Sequence, residues 1–206
     1  MQKKKFLKNY LEPIVTAVLI ALLIRAFVVQ AFKIPSSSME PTLLVGDYLL
    51  VNKFIYGLRI PYTDTKFFQF KKPQRGDVIV FIFPLDPSKD FIKRVIGTEG
   101  EKVEIIQNKI YINDRSIDDP WGHFVTNDFP RSFLQRMENF GPVVVPKDSL
   151  FVMGDNRDNS EDSRFWGFLR VNAVLGKAFI IYFSWDWNAE TLLDKVRWSR
   201  IGKLIH

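Results

Sequence analysis

A run of nineteen residues from Ile14 to Phe32, broken only by Thr16, Arg25 and Gln30, sets the strongest constraint on this chain. As one helix it would rise about 28 Å, close to the roughly 30 Å of a bilayer core. Arg25 stands toward its far end, where a long stem can snorkel to the interface or face protein. Lys3, Lys4, Lys5 and Lys8 precede the run, a basic flank that places the N-terminus inside and everything after Phe32 outside. The expected organisation is a basic segment 1–13, a single transmembrane helix 14–32 and an extracytoplasmic domain 33–206. A cleaved leader is the rival reading, because Val29-Gln30-Ala31 offers small side chains at the two positions a processing enzyme inspects. The run is longer than the apolar region of a leader, and bulky Phe27, Val28 and Phe32 flank that site, so the anchor is preferred.

Directly after the run comes Ile34-Pro35-Ser36-Ser37-Ser38-Met39-Glu40-Pro41-Thr42-Leu43. Two prolines exclude helix interior, since each fixes φ, lacks an amide donor and holds its predecessor extended. Such Pro/Ser-rich stretches commonly serve as linkers. This one is bracketed by Phe32, Ile34, Met39 and Leu43, which a solvated linker has little reason to carry. In extended geometry Ser36 and Ser38 share a face and Ser37 points away.

Beyond it the pattern becomes two-residue alternation between turns. Strands are expected at Tyr48–Phe54, Val78–Phe83, Phe91–Ile96, Lys102–Ile106, Ile110–Ile112, Val143–Val145, Leu150–Met153 and Leu175–Phe183, with a turn at Gln107-Asn108-Lys109. Many short strands rich in Val, Ile and Phe predict a mainly β, antiparallel domain. Residues 113–141 break the rhythm with Asp118-Asp119-Pro120, Trp121 and a mixed Arg131–Asn139 run that reads as one short helix. They are expected to form an excursion, a lid or small lobe.

The hydrophobic fraction of 47% excludes a disordered chain, and 206 residues leave room for one ordinary domain after the anchor. The net charge of +6 comes largely from basic clusters at the two ends, which speak for membrane topology rather than nucleic acid. No zinc-finger spacing or RNA-recognition signature is present. The absence of cysteine excludes disulfides, thiolate metal sites and cysteine nucleophiles. Trp185, Trp187 and Trp198 fit a surface resting on lipid or, equally, a buried core.

Two further stretches carry chemistry. In Phe91-Ile92-Lys93-Arg94-Val95-Ile96-Gly97, alternation puts Lys93 on the face of Phe91 and Val95, along apolar surface. A lysine blunting a strand edge is the ordinary alternative. Gly154-Asp155-Asn156-Arg157-Asp158-Asn159-Ser160-Glu161-Asp162-Ser163-Arg164-Phe165-Trp166-Gly167 is polar or charged at ten of fourteen positions. A solvated turn or a calcium loop would account for that density, but two intervening arginines spoil an EF-hand. The density suits a network that orders backbone around a site.

These stretches resemble the conserved boxes of bacterial type I signal peptidase, a membrane-anchored serine protease. The serine stretch resembles its Pro-Ser-x-Ser-Met-x-Pro-Thr-Leu box, and Arg75–Phe81 its middle strand. Lys93–Gly97 resembles its lysine box, Gly154–Gly167 its Gly-Asp-Asn-Arg-Asp-x-Ser-x-Asp-Ser-Arg box, and Arg200–His206 the C-terminal end of Gram-negative members. The order is the family's. Two departures are a single membrane segment where some members carry two, and Glu99-Gly100-Glu101 where Gly-Asp is usual. The resemblance implies a Ser-Lys endopeptidase that removes signal peptides from exported preproteins outside the cytoplasmic membrane, with no cofactor and no metal.

Carried over by position, Ser38 is the nucleophile and Lys93 the general base. Ser36 and the Ser38 amide form the oxyanion hole, and Ser160 orients the lysine. Asp162 and Arg164 form a structural ion pair, with Asp155 and Arg157 in similar support. A serine–histidine mechanism would need His123 or His206, and neither sits in a polar cluster. A lysine base requires burial to lower its pKa from about 10.4, which Phe91, Val95 and Met39 would supply. Cleavage after small residues implies shallow apolar pockets, for which Phe32, Ile34, Pro35, Met39, Leu43, Val80 and Ile92 are the candidates, each equally suited to plain core. Competing readings are a self-cleaving repressor-type Ser-Lys peptidase, which would carry a DNA-binding domain absent here, a dedicated processing peptidase of the same fold, and a catalytically idle membrane-tethered β binding module.

Overall fold

The computed structural model describes residues 10–59, 66–67, 70–124, 138–191 and 193–206. After helix α1 (Glu12–Phe27) the chain is mainly β. A seven-stranded antiparallel sheet runs β1 (Val29–Lys33), β2 (Asp47–Asn52), β13 (Val174–Ser184), β5 (Val78–Ile82), β6 (Asp90–Thr98), β11 (Ser149–Met153) and β12 (Leu169–Arg170) in spatial order. A second antiparallel sheet is ordered β10 (Phe140–Val144), β7 (Lys102–Ile106), β8 (Lys109–Ile112) and β9 (Arg115–Ser116). β3 (Leu58–Arg59) and β4 (Lys66–Phe67) form a short ribbon.

The two-residue period explains why the central strands are continuously apolar. In β5, Val78 and Val80 enter one core cluster while Ile79 and Phe81 enter another, so both faces of the sheet are covered. β11 repeats this, giving Leu150 and Val152 to the second cluster and Phe151 and Met153 to a third beneath the smaller sheet. The β7–β8 hairpin turns on Gln107 and Asn108, both at positive φ (49° and 66°), the geometry of a two-residue turn matched to strand twist.

All eight expected strands are present, with boundaries shifted by up to three residues at an end. The Tyr48–Phe54 strand ends at Asn52, and Phe54 opens a 3₁₀ turn, Phe54–Tyr56. Of the 113–141 excursion, residues 113–124 and 138–141 are described. They contain β9 and the start of β10, while nearly all of the expected Arg131–Asn139 helix lies outside the described residues.

The apolar run is divided where one helix to Phe32 was expected. α1 is 16 residues long, and Val29–Lys33 is a strand paired with Tyr48–Asn52. β-Branched Val28 and Val29 lose rotamer freedom in a helix and suit a strand, and β2 offers them an edge. Among the described residues, no helix is long and apolar enough to cross a membrane. Residues 10–22 are exposed along their whole length, Ile14, Val18, Leu19 and Leu22 among them.

The loop following the serine stretch is held from the C-terminal end. Asp47 is fully buried and accepts from Arg200 Nε (2.9 Å), Ser184 Oγ (2.6 Å) and the Leu44 amide (2.8 Å). Arg200 Nη2 also donates to the Thr42 carbonyl, and Arg197 Nη1 to that of Val45. Asp47→Ala leaves a largely buried guanidinium without its carboxylate, and the expected loss is about 3–5 kcal/mol of folding stability by chemical denaturation of the full chain. A loss of under about 1 kcal/mol would show that this anchor is dispensable.

Candidate active site

Ser38 and Lys93, 55 residues apart in sequence, are brought together from the serine stretch and from β6. The serine stretch is not extended. Ser36 and Ser37 form a bend and Ser38–Glu40 a turn, closed by Glu40 N donating to Ser37 O (3.0 Å) and Leu43 N to Met39 O (2.9 Å). Proline at both ends and the burial of Ile34, Met39 and Leu43 favour this compact turn over a strand. The expectation that Ser37 points away fails accordingly, because its Oγ accepts from Asn159 Nδ2 at 2.8 Å.

Lys93 projects from the middle of β6, opposite Ile79 of β5, and is 4% exposed. Its Nζ lies 2.7 Å from Ser38 Oγ and 5.5 Å from the centre of the Phe91 ring. Phe91 and Val95, its expected same-face neighbours, both pack in the second core cluster. Burial pushes the Lys93 ammonium down to about 8; the carboxylates of Asp162, Glu161 and Asp155 oppose the shift and the Arg164 guanidinium assists it. Burial wins because an ammonium loses its hydration there and, among the described residues, gains no direct carboxylate partner.

A cleft of about 310 Å³ opens over the pair, lined by Pro35, Ser36, Ser37, Ser38, Asp90, Phe91, Ile92, Lys93, Asn159 and Glu161. Of the seven expected pocket residues, Pro35 and Ile92 line it. Ile34, Met39, Leu43 and Val80 are buried in the cluster beneath, and Phe32 packs against that cluster. The bend turns Ile34, Met39 and Leu43 into the core, and strand alternation does the same for Val80.

The polar loop forms the far wall through paired charges. Arg164 bonds Asp162 through Nε (2.9 Å) and Nη2 (2.8 Å), and Asp162 Oδ2 also accepts from the Gly154 amide at 3.1 Å. Asp155 pairs with Arg94, not with Arg157, through bonds of 2.8 and 2.7 Å between side chains with no exposure. Arg157 pairs with Asp119 (2.7 Å) and donates to the Gly154 carbonyl (3.1 Å). Ser160 is buried, and its Oγ has no hydrogen-bond partner among the described protein atoms. It sits across Gly154 from Ser38: a Cβ at Gly154 would lie 2.3 Å from Ser160 Oγ and 2.4 Å from the Ser38 carbonyl oxygen.

Arg94, Asp119, Asn156 and Asn159 are the functional-loop contacts that sequence reasoning missed. Each lies in or beside a stretch already singled out, but its partner is 38 to 122 residues away. His123 and His206 are exposed and do not line the cleft. Among the described residues, no group of three or more His, Asp or Glu side chains converges as a metal site would.

The family profile described as "Signal peptidase, peptidase S26" matches residues 7–185. A signal peptidase I of Pseudomonas aeruginosa is 36% identical over 100% of this chain and 82% of its own length. One of Pseudomonas fluorescens is 37% identical over 98% and 81%. The signal peptidase I of Aquifex aeolicus is 35% identical over 81% and 80%. Matched along nearly its whole length by such relatives, the chain belongs to the signal peptidase I family of serine peptidases, peptidase S26.

Proposed function

We propose that this chain is a membrane-anchored endopeptidase that removes signal peptides from exported preproteins by a Ser-Lys mechanism. The observation that carries the mechanism is the buried Lys93 amine, 2.7 Å from Ser38 Oγ at the floor of an open cleft. With the amine neutral, the Ser38 hydroxyl donates into its lone pair. Oγ attacks the scissile carbonyl as its proton passes to Nζ. The Ser38 N–H and the Ser36 hydroxyl, both at the cleft, stabilise the resulting oxyanion. Lys93 then protonates the leaving amine, and a water that it deprotonates hydrolyses the acyl ester. The Ser160 hydroxyl, packed behind Ser38 across Gly154 and without a hydrogen-bond partner among the described protein atoms, is assigned the role of orienting the amine. The ion pairs Asp162–Arg164, Asp155–Arg94 and Arg157–Asp119 hold the wall and take no part in proton transfer.

The narrow, partly apolar cleft floored by Ile92 and Pro35 suits small side chains of the Ala-x-Ala type. Membrane anchoring rests on α1, whose described residues present apolar side chains to the exterior on every face, and on the four lysines ahead of it. Such a helix is buried by lipid or by other protein. Trp187 and Trp198 are 60% and 67% exposed, and Lys33, at the end of β1, stacks its Nζ 4.9 Å from the Trp187 ring. Amphipathic aromatics in that position suit a membrane interface. The domain after β1 then lies on the outer face of the cytoplasmic membrane, with the N-terminus inside. Trypsin added to spheroplasts should digest the domain while a tag at Met1 stays protected; protection of the domain would overturn this orientation.

Ser38→Ala and Lys93→Ala should each reduce cleavage of an Ala-x-Ala preprotein in detergent to background, with thermal melting retained. The two losses should not add, because the groups act as a unit. Substantial turnover by Lys93→Ala would sink the mechanism.

The pH dependence has a defined sign. A lysine base works only when neutral, and its neutral fraction rises with pH through about 8. Activity should therefore climb along a limb centred near pH 8 and level off above it. A limb centred near pH 6.5 would point to a histidine.

Gly154→Ala sets a Cβ against the Ser38 carbonyl and Ser160 at once. The expected cost is about 1–3 kcal/mol of stability. Cleavage should fall by about a hundredfold or more, since about 1 Å of displacement at the nucleophile is enough for that. Near-normal activity would show that the loop yields without moving Ser38.

A further inference from the structure

The Ser38 N–H, taken above as an oxyanion donor, shares one peptide group with the Ser37 carbonyl. That peptide is trans, so its C=O and N–H point in opposite directions. The Ser37 carbonyl accepts from Asn156 Nδ2 at 3.2 Å, and the next carbonyl, that of Ser38, accepts from the Asn156 main-chain N at 3.1 Å. One residue thus grips the peptide groups on both sides of the nucleophile. Asn156 is 4% exposed and lies behind the stretch, whereas Ser36, Ser37 and Ser38 line the cleft. Its Oδ1 has no partner among the described protein atoms. A flipped amide would set that oxygen against the Ser37 carbonyl, so the donor orientation is fixed by its acceptor.

Asn156 is itself held firmly. Asp155 before it is locked on Arg94, and a turn closes behind it through Asn159 N donating to Asn156 O (3.1 Å). Asn159 Nδ2 adds a bond to Ser37 Oγ. We infer that Asn156 is a positioning residue for the oxyanion hole: its side-chain amide, a second donor to the Ser37 carbonyl beside Glu40 N (3.0 Å), holds the Ser37–Ser38 peptide plane so that the Ser38 N–H faces the substrate carbonyl. A bond accepted by the Ser37 carbonyl also polarises the same peptide, which strengthens its N–H as a donor. This inference rests on the Ser38–Lys93 mechanism above.

The test uses the full chain in detergent, with Asn156→Ala, Asn156→Asp and Ser38→Ala measured side by side. kcat and KM are taken on one Ala-x-Ala peptide, with inhibition by a peptide aldehyde whose serine adduct carries the oxyanion. Asn156→Ala should lower kcat by about 10- to 100-fold, change KM by no more than about twofold, and weaken the aldehyde by the same factor as kcat. Its ascending pH limb should stay near 8, because the base is untouched. Asn156→Asp keeps the shape and removes the donor, and should show a comparable loss on the high-pH plateau. It is read alone if Asn156→Ala fails to fold. Wild-type kcat in the two Asn156 variants, with Ser38→Ala inactive, would overturn the inference and leave the mechanism standing. So would a loss confined to KM or to the pH limb with aldehyde affinity unchanged. Activity retained by Ser38→Ala would remove the mechanism and this inference with it.

Discussion

The buried pair between Arg94 and Asp155 is the contact on which the rest of the site depends. Arg94 is the neighbour of Lys93 on β6, and Asp155 stands between Gly154 and Asn156, the two residues that touch the Ser38 main chain. The guanidinium fills four donor positions, two on Asp155, one on the Gly76 carbonyl and one on the His206 main-chain oxygen, and lies 4.5 Å from the Trp121 ring centre. A fork this fully occupied has one low-energy arrangement. Lys93, the loop behind Ser38 and the C-terminal end are therefore set relative to one another by a single side chain. Its strength is geometric: a buried pair gains little over an apolar replacement, but losing one partner leaves a stranded charge.

What the sequence made legible was whatever repeats locally. Two-residue alternation found the strands of both sheets, and β5 shows why it worked even where no polar face exists, since Val, Ile and Phe without helical spacing already mark a strand. The same alternation placed Lys93 with Phe91 and Val95. The depressed amine pKa follows from that placement, because strands on both sides of β6 deny the ammonium water. Apolarity alone was less informative at Val29–Lys33, where a helix continuing through lipid and a strand on an open sheet edge call for similar residues. Pairing with β2 decided that segment, and β2 lies some twenty residues downstream.

Non-local geometry was not legible. The serine stretch is rich in Pro and Ser, yet its bend is completed by Asn156 and Asn159, more than a hundred residues on. That bend sends Ile34, Met39 and Leu43 into the core and leaves Pro35 at the cleft, so apolar character in the stretch marked packing more than specificity. Alternating charge in the polar loop was visible, but the partners were not. Asp155 and Arg157 look complementary two residues apart, and each in fact reaches to a different element.

That pattern of partners bears on the chemistry. Asp155, Asp162 and Asp119 each hold an arginine, so the loop and its partners on β6 and the 113–124 segment bring three carboxylates toward the active site already matched by three guanidinium groups. Unpaired carboxylates at these distances would stabilise an ammonium and keep the amine protonated at neutral pH. Paired ones leave a reduced field, and desolvation by the strands prevails over it and over the carboxylate of Glu161 at the cleft. The acidic groups remain useful, because their hydrogen bonds fix the Gly154 amide and the position of Asn156. A loop rich in charge can thus order the Ser38 backbone without holding the neighbouring Lys93 amine in its charged form. Arginine suits that task better than lysine, since it stays charged when buried and binds a carboxylate with two bonds at once.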